Sequence, residues 1–224
     1  MCSILPFKRD DKFIPSQYLD PMVGELLGDG GIGFPGKRGN NARFAITMGI
    51  DNYPYLLHLR YNIYKDLCTD SKPIPYPNTD KTGLPIQQYW FGTKSLLAFT
   101  LLHKTWYINK QSGKSKYTKI VPININEMLK PIGLAHWIMG DGYWNTSEKT
   151  VYLCTDNFTE KEVELLIEVL HLNFGLLSTK SKRIKSNKEI CWRIRLSSKA
   201  ANLNLLRLIV NPYMIPEMEY KLGN

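Results

Sequence analysis

No run in this 224-residue chain approaches the roughly 20 consecutive apolar residues that a membrane-spanning helix needs. A signal-peptide core is missing too. Residues 1–11, Met-Cys-Ser-Ile-Leu-Pro-Phe-Lys-Arg-Asp-Asp, carry acids early, unlike a transit peptide. Together these absences predict a protein that works where it is made. Cysteine is scarce: Cys2, Cys68, Cys154 and Cys191 stand far apart, with no Cys-x-x-Cys spacing. That argues against a zinc ribbon and a disulfide scaffold and points to a reducing interior. His58, His103, His136 and His171 show no metal-ligand spacing, and nothing offers a Ser-His-Asp set. One nucleotide-loop pattern fails on inspection. Residues 31–37 fit Gly-x4-Gly-Lys, but Arg38 stands where Ser or Thr should ligate Mg²⁺, and the stretch follows a helix pattern, not a strand. A basic hairpin tip over 36–41 is the better reading.

Charge of one sign is what the chain has in excess. Its 29 Lys and Arg against 20 Asp and Glu leave a net charge of +9, which predicts attraction to a polyanion. The hydrophobic share of 43% is ordinary, and the length allows one compact fold or two small intimate halves.

A nine-residue stretch occurs twice, as Met22-Val23-Gly24-Glu25-Leu26-Leu27-Gly28-Asp29-Gly30 and Leu134-Ala135-His136-Trp137-Ile138-Met139-Gly140-Asp141-Gly142. Both begin as apolar helical segments and end in Gly-Asp-Gly. Asp29 and Asp141 lie 112 residues apart (141 minus 29), half the chain, which reads as two copies of one unit related by a pseudo-twofold axis. Gly24 and Gly28 form an i, i+4 pair on one face, where a second helix can approach backbone to backbone. In the second copy Gly140 matches Gly28 but His136 replaces Gly24, so that part of the crossing is expected to be looser or differently packed. Each helix ends at its aspartate, where unpaired carbonyls already carry about half a negative charge. Two added carboxylates are unfavourable there unless cations bind, and hard oxygen ligands suit Mg²⁺.

The rest of the chain repeats in the same order. Pro6 and Pro15 discourage regular structure over 1–17, and Asp20-Pro21 predicts the N-cap and first position of the first motif helix. Alternation predicts a strand over 42–48, and apolar spacing a helix over 55–67. Strands are expected at 72–76 and 86–91 around a turn at 78–83, then a helix over 96–102 capped by Thr93. Residues 110–119 read as a basic linker. In the second half, strands are expected at 143–145 and 151–155. A Thr159/Glu162 capping box then opens a helix through Phe174 that Gly175 stops. Strands follow at 178–184 and 190–196 around the tip 185–188. A last helix over 199–209, capped by Ser198, is ended by Asn211-Pro212. The fold expected is α+β, two pseudo-symmetric αββαββα halves over 1–121 and 122–224. Each half closes on a lysine at a matching place, Lys119 and Lys221.

With its two motifs, this order resembles the LAGLIDADG homing endonucleases in their single-chain form, and the resemblance covers nearly the whole chain. It implies a monomer whose antiparallel sheets form a saddle on double-stranded DNA, with the motif helices packed at the centre. It also implies a site-specific endonuclease that cuts both strands across a minor groove and leaves 3′ overhangs. Two metal ions about 4 Å apart supply an activated water, charge neutralisation and a stabilised leaving oxygen. Asp29 and Asp141 are the expected ligands, with the carbonyls of Gly28 and Gly140 completing the cage. Mg²⁺ or Mn²⁺ is the expected ion, and Ca²⁺ should bind without supporting cleavage. Lys119 and Lys221 are expected near the scissile phosphates, ordering water or stabilising the phosphoanion. An organellar address, mitochondrial or chloroplast, rests on the resemblance alone.

Strand residues of hydrogen-bonding type are the expected DNA contacts: Arg43, Thr47, Gln88, Lys180, Lys182, Arg193 and Arg195. Lys37, Arg38, Asn40, Lys81 and Lys185 join them from tips and turns. Trp192 and Ile194 are expected to point into the core. A different reading on the same fold is an intron maturase, which binds intron RNA without cleaving DNA. Both acids being intact favours the nuclease. A third reading, a non-catalytic DNA-binding repressor, predicts no metal dependence.

Overall fold

The computed structural model describes residues 8, 10–36, 40–110 and 116–223, which fall into two compact units. One holds the described residues of 1–19 and 29–105, the other those of 20–28 and 106–224. This division differs from a cut at 121. The helical part of the first motif and the described residues of 106–121 both pack with the second unit.

Helix α1 (Ser16–Leu27), whose residues 16–19 belong to the first unit and 20–27 to the second, opens earlier than Asp20-Pro21 predicts. The carbonyl of Pro15 accepts from the N–H groups of Tyr18 and Leu19 at 2.9 and 3.0 Å, so the helix begins directly after Pro15 and Pro21 lies inside it. Strands β1 (Gly31–Gly33) and β2 (Arg43–Gly49) form the first hairpin. The expected helix over 55–67 is three pieces: α2 (Tyr53–His58), a π-turn at Leu59–Ile63 and a 3-10 turn at Lys65–Leu67. Buried Arg60 stands in that π-turn and donates to the backbone carbonyls of Thr69 and Ser71. Next come β3 (Ile74–Tyr76), α3 (Thr79–Thr82), β4 (Gln88–Gly92) and α4 (Leu97–Trp106). The expected turn at 78–83 is one helical turn. The Asn78 side chain caps it by accepting from the Lys81 N–H, and Gly83 ends it at φ +67°. Thr93 does not cap α4. Its hydroxyl accepts from the Phe44 N–H at 3.1 Å and fastens the end of β4 to β2. The sheet runs β1-β2-β4-β3, antiparallel, with Phe44, Ile46, Met48 and Phe91 buried on one face.

The second unit begins where a linker was expected. Strands β5 (Tyr107–Asn109) and β6 (Tyr117–Lys119) pair there as a hairpin. A one-turn helix, α5 (Ile125–Met128), precedes α6 (Pro131–Asp141), which has Pro131 at its first turn. Strands β7 (Gly142–Asn145) and β8 (Thr150–Leu153) lead to α7 (Glu160–Phe174). Both halves of the Thr159/Glu162 capping box are present, and Gly175 stops the helix at φ +67°. The second oxygen of Glu162 accepts from the Val121 N–H at 2.8 Å, so one carboxylate holds the start of α7 and the chain just past β6. Then come β9 (Ser178–Ile184), β10 (Ile190–Leu196) and α8 (Ala200–Val210). The N-cap position of α8 is Lys199, without a side-chain cap, so Ser198 does not serve as one. The sheet order is β7-β8-β10-β9, so the helix-strand-strand order recurs as expected in both parts of the chain. Trp106, Trp137, Val151, Leu166 and Ile194 are fully buried in this unit, each contributing roughly 1.5–3 kcal/mol over an exposed position.

Within the second unit, residues 20–27 of α1 lie against α6 at backbone distance. A Cβ on Gly24 would stand 2.0 Å from the Gly133 carbonyl oxygen and 2.8 Å from the Trp137 nitrogen. One on Gly133 would stand 2.8 Å from the Asp20 carbonyl oxygen. Of the two expectations for His136, looser or different packing, the second is what forms. Gly133, one helical turn before Trp137, supplies the small surface that faces Gly24. His136 is buried and its Nδ1 lies 3.0 Å from Oε1 of buried Glu25, a polar pair inside an otherwise apolar crossing.

Candidate active site

The two motif helices end differently. Asp141 is the last residue of α6 and is half-buried, and its carbonyl accepts from the Cys154 N–H at 3.1 Å. Gly142 must follow it, because a Cβ there would stand 2.7 Å from the Ile138 carbonyl oxygen. Asp29 is exposed and comes two residues after the end of α1. Gly28, just before it, faces the Asp141 side chain closely enough that a Cβ would sit 3.2 Å from the carboxyl carbon.

The two tail lysines both reach motif helix ends. Lys119 Nζ donates to the Gly28 carbonyl at 2.7 Å. Lys221 Nζ, buried, donates to the Met139 and Gly140 carbonyls at 2.6 and 2.9 Å. Each ammonium thus binds the carbonyl directly before a motif aspartate. Such carbonyls have no partner within their own helix and form the negative end of its dipole, which a cation stabilises.

A pocket of about 270 Å³ lies at this point of the second unit, lined by Gly28, Lys119, Asp141, Cys154, Asp156 and Lys185 among others. The Cys154 thiol is pushed up to about 11, first by burial and further by Asp141 and Asp156, against the lowering effect of Arg193. It is a neutral wall of the pocket rather than a nucleophile.

The sheet of the second unit sorts the expected DNA contacts onto two faces. Register pairs Ile194 with Lys180 and Trp192 with Lys182, so both lysines lie on the face covered by α7. Lys180 ion-pairs with Glu160 and Glu164 of that helix, and its ammonium stands 5.0 Å from the half-buried ring of Trp192. The expectation that Lys180 and Lys182 share a face with Arg193 and Arg195 is thereby corrected. Strand parity places Thr179, Ser181 and Arg183 with the two arginines instead. Ile194 is buried as expected, whereas Trp192 is only partly covered.

On the open face, Arg193 is bound side-on by Asp156, and Arg195 ion-pairs with Glu148. Burial opposes the charge of Arg193, but its hydrogen bonds to Asp156 and Tyr143 raise its pKa above the usual range. The arginine Arg195 holds the Glu148 carboxyl below its ordinary value, helped by Tyr152. In the first unit, Arg43, Thr47 and Gln88 share one open face with Trp90, Ile74 and Tyr76. Arg43 lies with Cζ 5.5 Å from the Trp90 ring centre, over Gly92, where a Cβ would meet its Nε at 3.1 Å. Asn40 is exposed in a loop, Lys81 is exposed on the one-turn helix α3, and Lys185 is half-buried at the pocket. Lys37 and Arg38 lie outside the described residues.

Sequence reasoning missed Arg183, Glu148 and Asp156. A signal for the last existed: the dipeptide Asp-Asn follows the second strand in both halves, as Asp51-Asn52 and Asp156-Asn157.

A family model described as the LAGLIDADG DNA endonuclease family matches residues 20–203. Cytochrome b mRNA maturase bI2 of Saccharomyces cerevisiae is 32% identical over 208 residues, 92% of this chain. The chain spans only 47% of that relative's length. The protein of the same name from Debaryomyces hansenii is 30% identical over 223 residues, 97% of this chain and 79% of that protein. Among solved structures, the homing endonuclease I-WcaI bound to its DNA recognition sequence is similar with a TM-score of 0.74 and 25% identity, over 94% of this chain and 87% of that one.

Proposed function

The chain belongs to the LAGLIDADG DNA endonuclease family, and from that premise we propose that it is a monomeric, site-specific endonuclease for double-stranded DNA. It hydrolyses one phosphodiester in each strand and leaves 3′ overhangs. The observation that carries this reading is the pairing of each tail lysine with the carbonyl before a motif aspartate. A purely structural turn acid needs no such partner, whereas a phosphodiester site needs cations beside its carboxylates.

The residues fit a hard divalent ion. The ligands proposed for it are all oxygens, the carboxylates of Asp29 and Asp141 and the carbonyls of Gly28 and Gly140. Each of these carbonyls accepts one ammonium hydrogen and keeps a second lone pair. Among the described residues no three His, Cys, Asp or Glu are grouped to hold a metal. Mg²⁺ suits such a site, because it commonly takes one or two carboxylates and completes its shell with water and substrate phosphate. We assign Asp29 and Asp141 as its ligands; Mn²⁺ would substitute, and Ca²⁺ would bind without supporting cleavage. When bound, the ion supplies charge neutralisation and an acidified water. Lys119 and Lys221 hold fixed positive charge at the helix ends, where the phosphoanion develops its charge.

DNA contacts come from the open faces: Arg43, Thr47 and Gln88 in the first unit, Arg183, Arg193 and Arg195 in the second. Lys81, Lys185, Asn40, Lys37 and Arg38 are proposed to bind phosphates. The test uses duplex DNA carrying the uninterrupted insertion site. Binding should persist in EDTA, cleavage should require Mg²⁺, and log K should fall linearly with log salt. Cleavage in EDTA would sink the mechanism, and salt-independent binding would show that the +9 charge is not used on DNA.

A second reading is favoured by the two relatives named mRNA maturases: the chain binds intron RNA and assists splicing, with or without cleavage. Splicing of a precursor RNA by a cleavage-dead protein would establish it. An organellar address goes with either activity.

A further inference from the structure

Asp156 has no part in the reading above, yet two arginines from neighbouring strands meet on it. Arg193 donates from Nε to Oδ1 at 2.8 Å and from Nη2 to Oδ2 at 2.9 Å, the side-on bidentate contact. Arg183 donates from Nη1 to the same Oδ2 at 2.6 Å. Nη1 of Arg193 donates to the Tyr143 hydroxyl at 3.3 Å, and its Cζ stands 5.5 Å from the Tyr143 ring centre. That ring stacks in turn on Tyr152, 5.4 Å away and 16° from parallel. Side-chain exposure is 18% for Arg193 and 21% for Asp156.

A guanidinium held along its Nε–Nη2 edge and laid on a ring keeps little rotamer freedom. The donors it has left are on Nη1 and Nη2, the end-on fork that matches O6 and N7 of guanine. Two guanidinium groups on one carboxylate also leave surplus positive charge on the open face. A stabilising bridge alone would need only one arginine. Asp156 further lines the same pocket as Asp141 and Lys119, so the fixed arginine stands beside the proposed cleavage centre.

We propose that Asp156 is a specificity-determining positioning residue, which fixes Arg193, with Arg183 beside it, to read a guanine at a base pair close to the cut. The inference rests on the DNA endonuclease reading. Its physical core is the difference between a swinging and a fixed arginine. A free arginine settles on phosphate and carries no sequence information, whereas an oriented fork reads a base edge.

The experiment is selection from a randomised duplex library in EDTA, with wild type, Asp156→Asn and Arg193→Lys. Wild type should enrich guanine, on one strand or the other, at one or two positions. Asp156→Asn should lose that preference by at least about tenfold, which lies within the discrimination of one bidentate contact. Its other positions and its salt slope should stay as in wild type. Arg193→Lys keeps the charge without the fork, and should lose preference at the same positions. It carries the test alone if Asp156→Asn melts early. A bridge that serves stability alone predicts weaker binding to every sequence with the base preference intact. That result overturns the inference. If wild type enriches no sequence, the endonuclease reading itself falls; if all three proteins enrich the same site, only the role of Asp156 falls.

Discussion

Gly24 and Gly133 touch through their main chains, with no side chain between residues 20–27 of α1 and helix α6 at that point. The obstacle to any larger residue is a carbonyl oxygen 2.0 Å from the position of a Cβ on Gly24, and a backbone atom cannot swing aside.

Gly24→Ala should therefore destabilise the protein by about 3 kcal/mol or more, at or beyond the upper end of ordinary overpacking costs. Gly140→Ala is the matched control. Its Cβ would meet nothing closer than Glu25 Oε2 at 3.8 Å, so the gain in helix propensity of roughly 0.5–1 kcal/mol should show. Urea melts of both variants decide the point. Equal stability of the two would mean that the close approach is not there.

Asp29→Asn with Asp141→Asn should lower cleavage at least about a thousandfold, some 4 kcal/mol of barrier. Stability without metal should hold or rise, since a carboxylate leaves the negative end of α6. DNA binding should survive, and Mg²⁺ should raise the melting temperature of wild type more than that of the variant. Loss of binding together with a much lower melting temperature would reassign both acids to structure.

Lys119→Met and Lys221→Met should each slow cleavage by at least about tenfold, or about 1.4 kcal/mol. Their stabilities should differ. Lys221 is buried and serves two carbonyls, so its loss leaves both without that donor, at about 1–3 kcal/mol for the buried Met139 group and less for the part-buried Gly140 one. Lys119 is half-buried and serves one, so its variant should melt closer to wild type. Single-turnover rates beside melting curves check this; wild-type rates in both variants would leave the lysines as caps only.

What was legible in the sequence was whatever depends on local pattern. The repeated motif, the capping box at Thr159 and the stop at Gly175 are neighbouring-residue effects, and they place the longer helices and most strands, but not the break of the helix over 55–67 into three pieces. The failures share a different cause. Gly133 and His136 differ by less than one helical turn, and only the partner helix decides which of them faces Gly24. Lys180 and Arg183 differ by one step of strand parity, which α7 settles with Glu160 and Glu164. The hairpin of β5 and β6 has strands of three residues each, too short for alternation to show against a basic background. The partners of Asp156 lie on two strands that arrive later in the chain, beyond the reach of local pattern.

The Cys68 thiol, buried in the first unit, is pushed up to about 11 by burial, with Arg60 and Lys94 pulling the other way. Below about pH 9 the thiol is neutral in both folded and unfolded chains, and the stability it permits is fully present. As pH rises from about 9 to about 11 the unfolded chain loses the proton first, and stability falls by about 2–3 kcal/mol at 1.36 kcal/mol per pH unit. Cys68→Ala should remove that part of the alkaline loss. Urea titrations at pH 8 and pH 10.5 measure it, and an identical pH slope in the variant would refute it.

Glu162 gives one oxygen to Thr159 and the other to the main-chain N–H of Val121, two residues past Lys119. One side of that joint has no side-chain identity, since every residue except proline offers the same N–H. A chimera that takes everything up to residue 121 from another member of the family would keep the bond without any matching. The demand falls wholly on the recipient, which must carry glutamate at 162; aspartate, one carbon shorter, would have to give up the helix or the graft. For splicing recognition modules between relatives, that single carboxylate is the fitting required at residue 121, in addition to the glycines that the crossing of α1 and α6 demands at 24 and 133.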